Sequence, residues 1–132
     1  MLEPLSMPDG LDGIRILLVD DDEDLLAVMQ VILESDGALV TPISNVEAAL
    51  AELATTRPDV LVLDIIMPGR DGWSLLSEAR RRGCLDGVSV LIVTGLELRP
   101  QQIADAGANG YLPKPMDGKT LCTTIEGLLR AR

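Results

Sequence analysis

Three carboxylates, a hydroxyl and an ammonium stand close behind apolar runs of this 132-residue sequence. Asp20 and Asp21 follow Ile16-Leu17-Leu18-Val19, Asp64 follows Val60-Leu61-Val62-Leu63, Thr94 follows the run Val88 to Val93, and Lys114 comes just after Gly110 to Leu112. Clustered carboxylates raise one another's pKa unless a cation neutralises them. A hard divalent ion resolves that conflict, Mg²⁺ first and Mn²⁺ as a substitute, held by one or two carboxylates, a backbone carbonyl and waters. A hydroxyl and an ammonium beside a metal-bound carboxylate offer a donor and a compact positive charge for phosphoryl oxygens. On that chemistry Asp64 is the expected nucleophile. An ionised carboxylate attacks phosphorus to give an acyl phosphate, and the cation and Lys114 stabilise the charge on the equatorial oxygens. Taken alone, Asp64 is a turn residue, Thr94 a strand-end residue and Lys114 a solvated loop lysine. Their joint arrival behind strands is what carries information. Asp22, Glu23 and Asp24 need no more than a helix N-terminus to explain them.

The elements that must position these side chains can be read from periodicity. Five apolar runs rich in Val, Ile or Leu recur at roughly the spacing of βα units: 14–19, 38–41, 60–63, 88–93 and 110–112. Several lack alternation, as parallel strands covered on both faces do. Between them the period becomes helical. Leu25, Val28, Met29 and Ile32 mark the first helix, Val46, Ala49, Leu50 and Leu53 the second, and Leu75, Leu76 and Ala79 the third. A short fourth helix is expected over 100–106, and Leu121, Ile125, Leu128 and Leu129 mark a fifth. Ser44-Asn45-Val46-Glu47 reads as a capping box before the second helix. Repeated βαβ units with short loops predict an α/β fold, a flavodoxin-like doubly wound sheet of five parallel strands in the order 2-1-3-4-5 with helices on both faces. Sites in such sheets form at the carboxyl ends of the strands, beside the switch point between the first and third strands. Asp20, Asp21 and Asp64 fall there.

Composition narrows the alternatives. Eleven basic against twenty-one acidic residues give a net charge of −10, which repels nucleic acid and anionic lipid. The one basic run, Arg80-Arg81-Arg82, is expected to be the solvated last turn of a helix. Cys84 and Cys122 lie far apart without histidine or a CxxC context, so no zinc cluster is expected. No apolar stretch approaches the eighteen or so residues of a membrane span. Residues 1–13, with Pro4, Pro8, Gly10 and Gly13, lack the regions of a signal peptide and read as a flexible leader or linker remnant before one domain at 14–132. A cytoplasmic protein is expected.

Together these pieces resemble the receiver domain of two-component response regulators. The resemblance rests on Ile16-Leu17-Leu18-Val19-Asp20-Asp21, on Asp64-Ile65-Ile66-Met67-Pro68-Gly69-Arg70-Asp71-Gly72, on Val93-Thr94-Gly95, and on the stretch from Gly107 to Pro115. It covers about residues 14–130. It implies that Asp64 is the phospho-acceptor, that Asp20 and Asp21 hold Mg²⁺ with Asp64 and the backbone carbonyl of Ile66, and that Lys114 pairs with the phosphoryl group. It implies that the Thr94 hydroxyl moves to that group and that Tyr111 changes rotamer in response. The donor is then a sensor histidine kinase or a histidine phosphotransfer protein. The output face is the fourth helix, fifth strand and fifth helix, read by a second copy or a downstream protein. Such a domain catalyses at most its own phosphorylation and dephosphorylation.

Two other readings stay open at the level of sequence. Asp20-Asp21-Asp22 after an apolar strand also resembles the nucleophile motif of haloacid-dehalogenase-type phosphatases, with Asp20 attacking, although their downstream acidic pair has no counterpart here. The chain could also be a receiver-like interaction module that takes no phosphate. Ile66 and Leu96, apolar and two residues after Asp64 and Thr94, are expected to flank the phosphoryl group, limit attacking water and lengthen its lifetime. The short stretch after the fifth helix leaves no room for an output domain, so the chain either acts alone or is a piece of a larger regulator.

Overall fold

In the computed structural model, which describes residues 10–132, five strands alternate with five helices. The strands are β1 (Arg15–Val19), β2 (Leu39–Ile43), β3 (Val60–Leu63), β4 (Ser89–Thr94) and β5 (Gly110–Pro113). They form one parallel sheet in the order β2-β1-β3-β4-β5, as expected from sequence. The helices are α1 (Glu23–Ser35), α2 (Val46–Thr55), α3 (Gly72–Arg81), α4 (Pro100–Asp105) and α5 (Gly118–Arg130).

The unalternating strands are explained by two cores. Leu17, Val19, Leu61, Leu63, Val90 and Ile92 face one cluster with α2 and α3. Ile16, Leu18, Val60, Val62, Leu91 and Val93 face the other with α1 and α5. Each of these large apolar side chains contributes on the order of 1.5–3 kcal/mol by leaving water.

Side chains start four of the helices. Asp22, Asn45, Asp71 and Asp117 are N-caps, and each accepts the backbone N–H three residues on. The expected capping box therefore does not form, and a single cap replaces it. Asn45, not Ser44, caps α2, and Glu47 instead reaches Arg70 at 2.6 Å. The α1 stripe also shifts: Leu26, Met29 and Leu33 are buried, whereas Val28 is 55 % exposed. Leu25-Leu26, Val28-Met29 and Ile32-Leu33 are apolar doublets, so two adjacent registers satisfy a helical period and packing selects between them. In α2, α3 and α5 the expected residues face inward, with Leu128 and Leu129 only partly buried.

β2 runs on through Pro42 to Ile43, beyond the expected end at Thr41. As an edge strand it bonds only to β1. The Leu39 N–H donates to Ile14 O and Ile43 O accepts from the Asp20 N–H, so the alternating position, Pro42, faces outward where no donor is needed. Arg81 and Arg82 at the end of α3 both pair with Glu78, in line with a solvated last turn. Both cysteines are free, and burial followed by the charges of Asp36 and Glu126 pushes the Cys122 thiol up to about 11, which keeps it protonated. No helix among the described residues is long and apolar enough to cross a membrane.

Residues 10–13, expected to belong to a leader, are instead docked on the domain. The Leu11 N–H donates to Asp36 O and the Gly13 N–H to Gly37 O, both at 3.0 Å, and Leu11 is wholly buried in the α1–α5 core. Within Pro8-Asp9-Gly10-Leu11-Asp12-Gly13 the single leucine carries no periodicity to announce it. The rest of the expected leader, residues 1–9, lies outside the described residues. Replacing Leu11 with Ala should lower the unfolding free energy in urea by about 2–5 kcal/mol, whereas Val31→Ala, on the exposed side of α1, should stay within about 0.5 kcal/mol. Equal effects would mean that the Leu11 turn is not part of the cooperative fold.

Candidate functional site

The strand register sets the site. Val19 lies beside Leu63 in the sheet, so Asp20 and Asp64 leave adjacent strands at the same level, and the Asp64 N–H donates to Val19 O at 2.9 Å. Thr94 ends β4 beside Pro113 of β5, and the Lys114 N–H donates to Thr94 O at 2.9 Å. The chain thus delivers Asp20, Asp64, Thr94 and Lys114 to one edge of the sheet, as the sequence predicts. Pro113, next to the lysine, sits on the other edge strand with its missing donor facing outward.

The Lys114 ammonium donates to Asp20 Oδ2 and to Asp64 Oδ2, both at 2.8 Å. Both carboxylates are buried, while Asp21 is exposed at the mouth. Their second oxygens are also engaged. Asp20 Oδ1 accepts the Asp22 N–H and Asp64 Oδ1 the Ile66 N–H, each at 3.0 Å. These backbone bonds fix both carboxylates as the chain turns away from the sheet, a detail that no side-chain motif reveals.

One carboxylate oxygen from each of Asp20, Asp21 and Asp64 lies within 4.8 Å of the others. Three hard oxygen donors in that space suit Mg²⁺ or Mn²⁺ rather than a soft metal. Electrostatics supply an independent sign. Burial raises the Asp20 carboxyl above its usual range, and neither its hydrogen bond to Lys114 nor that to the Asp22 N–H cancels the effect. Burial works against the Lys114 ammonium too, but its bonds to Asp20 and Asp64 outweigh this and raise it above the ordinary lysine range. A single ammonium shared between two buried carboxylates is thus held charged, while burial still keeps Asp20 raised. The site is short of positive charge, and its oxygen donors fit a divalent cation.

Gly72 lets the turn after Asp64 close. A Cβ there would lie 2.6 Å from Asp64 O and 2.8 Å from Ile65 Cα, and the Gly72 N–H donates to Ile65 O at 2.8 Å. The first turn of α3 therefore rests directly on the backbone of Asp64 and Ile65. Arg70 ties the same loop to α2 through Glu47 and also donates to Ser74 Oγ. Neither pair was anticipated; Arg70 and Glu47 are 23 residues apart in sequence and only the tertiary fold brings them together.

Thr94 is wholly buried, and its Oγ1 accepts a long 3.4 Å bond from the Leu96 N–H. The Tyr111 hydroxyl donates to Leu96 O at 2.6 Å, so the expected switch residues meet at the β4–α4 loop. Ile66 is 54 % and Leu96 38 % exposed, so neither is buried in the core.

The raised Asp20 pKa has a signed consequence. The folded state holds this proton to higher pH than the unfolded chain does, so the group's contribution to stability is full below the unfolded value of 3.8 and is lost as pH rises through the raised folded value. In metal-free protein, the stability of wild type relative to Asp20→Asn should therefore fall as pH rises from about 4 towards neutrality. Urea unfolding of both proteins across that range measures it. A difference independent of pH would show that Asp20 is as ionisable folded as unfolded.

Comparison with known proteins fits this arrangement. The response regulator MprA of Mycobacterium ulcerans is 36 % identical over 120 residues, 89 % of this chain and 51 % of that protein. MprA of Mycobacterium leprae is 37 % identical over 118 residues, 88 % and 51 % of the two chains. The chain thus spans about half the length of these curated relatives. Among solved structures, a CheY-like receiver domain protein of Methanospirillum hungatei superposes with a TM-score of 0.83 at 29 % identity, covering 91 % of this chain and 96 % of that one. The receiver domain of Francisella response regulator 1452 gives 0.81 at 27 % identity, covering 90 % and 98 %. The sequence profile of the response regulator receiver domain matches residues 16–126, and the chain belongs to that family.

Proposed function

We propose that the chain is a phosphorylation-dependent switch in which Asp64 accepts a phosphoryl group from the phosphohistidine of a sensor histidine kinase or histidine phosphotransfer protein. The observation that carries this reading is the Lys114 ammonium, held 2.8 Å from both Asp20 and Asp64 with Asp21 beside them. An Asp64 carboxylate oxygen attacks phosphorus as the phosphorus–nitrogen bond to the donor imidazole breaks, leaving an acyl phosphate on Asp64 and the histidine free. Lys114 moves from bridging two carboxylates to pairing the new phosphoryl oxygens. Asp20, Asp21, Asp64 and the Ile66 carbonyl would hold Mg²⁺, which when bound supplies the positive charge that the buried carboxylates lack. The domain acts on no other substrate; it catalyses its own phosphorylation and dephosphorylation at most.

The signal then passes through the β4–α4 loop. Thr94 gives up a long bond to Leu96 at little cost and turns its hydroxyl to the phosphoryl group, and Tyr111 exchanges its bond to Leu96 O for a new rotamer. The doubly charged ligand biases an equilibrium between two packings of that loop. The change is read on α4, β5 and α5 by a downstream protein or a second copy, in the cytoplasm.

A small-molecule phosphodonor with Mg²⁺ should label Asp64, and Asp64→Asn should abolish the label while Asp20→Asn only slows it. Peptide mapping of the borohydride-reduced acyl phosphate checks this; label on Asp20 instead would favour phosphatase-like chemistry, and no label would favour an interaction module. Ile66→Asn should shorten the lifetime of the acyl phosphate severalfold by replacing an apolar side chain beside Asp64 with one that can hold the attacking water. Release of inorganic phosphate measured over time reports it, and an unchanged lifetime removes Ile66 from that role.

A further inference from the structure

On the sheet face that carries α2 and α3, a groove of about 580 Å³ separates α3 from α4. Its apolar lining is the half-buried Trp73 and Ala106 with the buried Leu76, and its polar lining includes Arg80, Arg81 and Asp105. The acceptor site does not use it. No residue of α4 is buried, so this side of the short helix meets a gap where α2 and α3 meet a core.

Charge indicates what would fill the gap. The chain carries a net charge of −10, and Arg80-Arg81-Arg82 is its one basic run. Arg81 and Arg82 share Glu78, whereas Arg80 makes no ion pair among the described residues. Its exposed guanidinium lies against Gly107, at the loop between α4 and β5. Arginine and tryptophan together are also the side chains that most often dominate a contact surface.

We propose that the α3–α4 groove docks an acidic peptide segment of a partner protein, with one bulky apolar side chain between Trp73 and Ala106 and its carboxylates on Arg80 and Arg81. Asp105, on the α4 side, repels a second run of acids there and so fixes which way the segment lies. The occupant touches α4 from the side opposite the proposed output face, which makes it a second input to that helix. This last link rests on the phospho-acceptor reading; the docking itself does not.

Trp73 is the chain's single tryptophan and reports the groove directly. Unphosphorylated protein is titrated with a synthetic peptide of aspartates and glutamates around one leucine, and with its counterpart in which lysines replace the acids. The acidic peptide should shift the Trp73 emission saturably and bind more weakly as salt rises. Arg80→Glu should bind it at least about tenfold more weakly, as expected for a charge pair turned repulsive. Arg80→Lys should keep most of the affinity, and Asp64→Asn should bind like wild type, which separates failure of docking from failure of the acceptor reading. Equal binding of the lysine peptide, or no effect of Arg80→Glu, overturns the proposal. So does a concentration-dependent emission change without peptide, which would assign the groove to a second copy of this chain.

Discussion

Two buried carboxylates on neighbouring strands repel each other, and the carboxyl edge of this sheet is arranged around that repulsion. Lys114 is the cation that makes the arrangement tolerable, at 2.8 Å from each. It comes from β5, which the strand order separates from β3 by β4, so its flexible stem must cross the end of β4 to reach Asp20 and Asp64. The register places Thr94 and Lys114 side by side, and the short β5 ends just before the lysine. Shift β5 by one residue and the ammonium would leave with the opposite face of the strand.

Compensation by one ammonium is incomplete, as the raised Asp20 carboxyl shows. Three carboxylates against one ammonium is the imbalance that the proposed divalent cation would relieve. A fully neutralised cluster would have no electrostatic reason to take a divalent cation, and a lysine satisfied by one carboxylate would have less reason to leave it. Stability and function therefore oppose each other at Asp20, where the burial that weakens the fold strengthens the demand for a cation.

Much of this was legible in sequence because the signals were repeated. Five apolar runs at βα spacing, those of β1, β3 and β4 buried on both faces, define a parallel sheet, and residues at their ends must share its edge. Asp20, Asp64, Thr94 and Lys114 were found by that rule alone. What sequence did not show follows from local ambiguity or from contacts between distant residues. The doublets of α1 satisfy two helical registers; Ser44 and Asn45 are both competent caps; Leu11 is a lone apolar residue in a loop-like stretch. The Glu47–Arg70 pair and the seat of Gly72 on the Asp64 backbone depend on the tertiary fold, as does the resting place of Arg80 on Gly107.

The contact between Gly72 and the Asp64 backbone gives the turn around Asp64 one hard wall and one soft one. On the α3 side there is no room even for a methyl group, and the adjoining helix buries Leu75, Leu76 and Ala79. On the α4 side the loop is held by a 3.4 Å bond to Thr94 and one tyrosine hydroxyl, ahead of a helix with nothing buried. A load placed on Asp64 has nowhere to go on the first side. For the proposed phosphoryl group on Asp64, the room to yield is therefore on the second side, because the missing Cβ of Gly72 has already brought α3 against the Asp64 backbone.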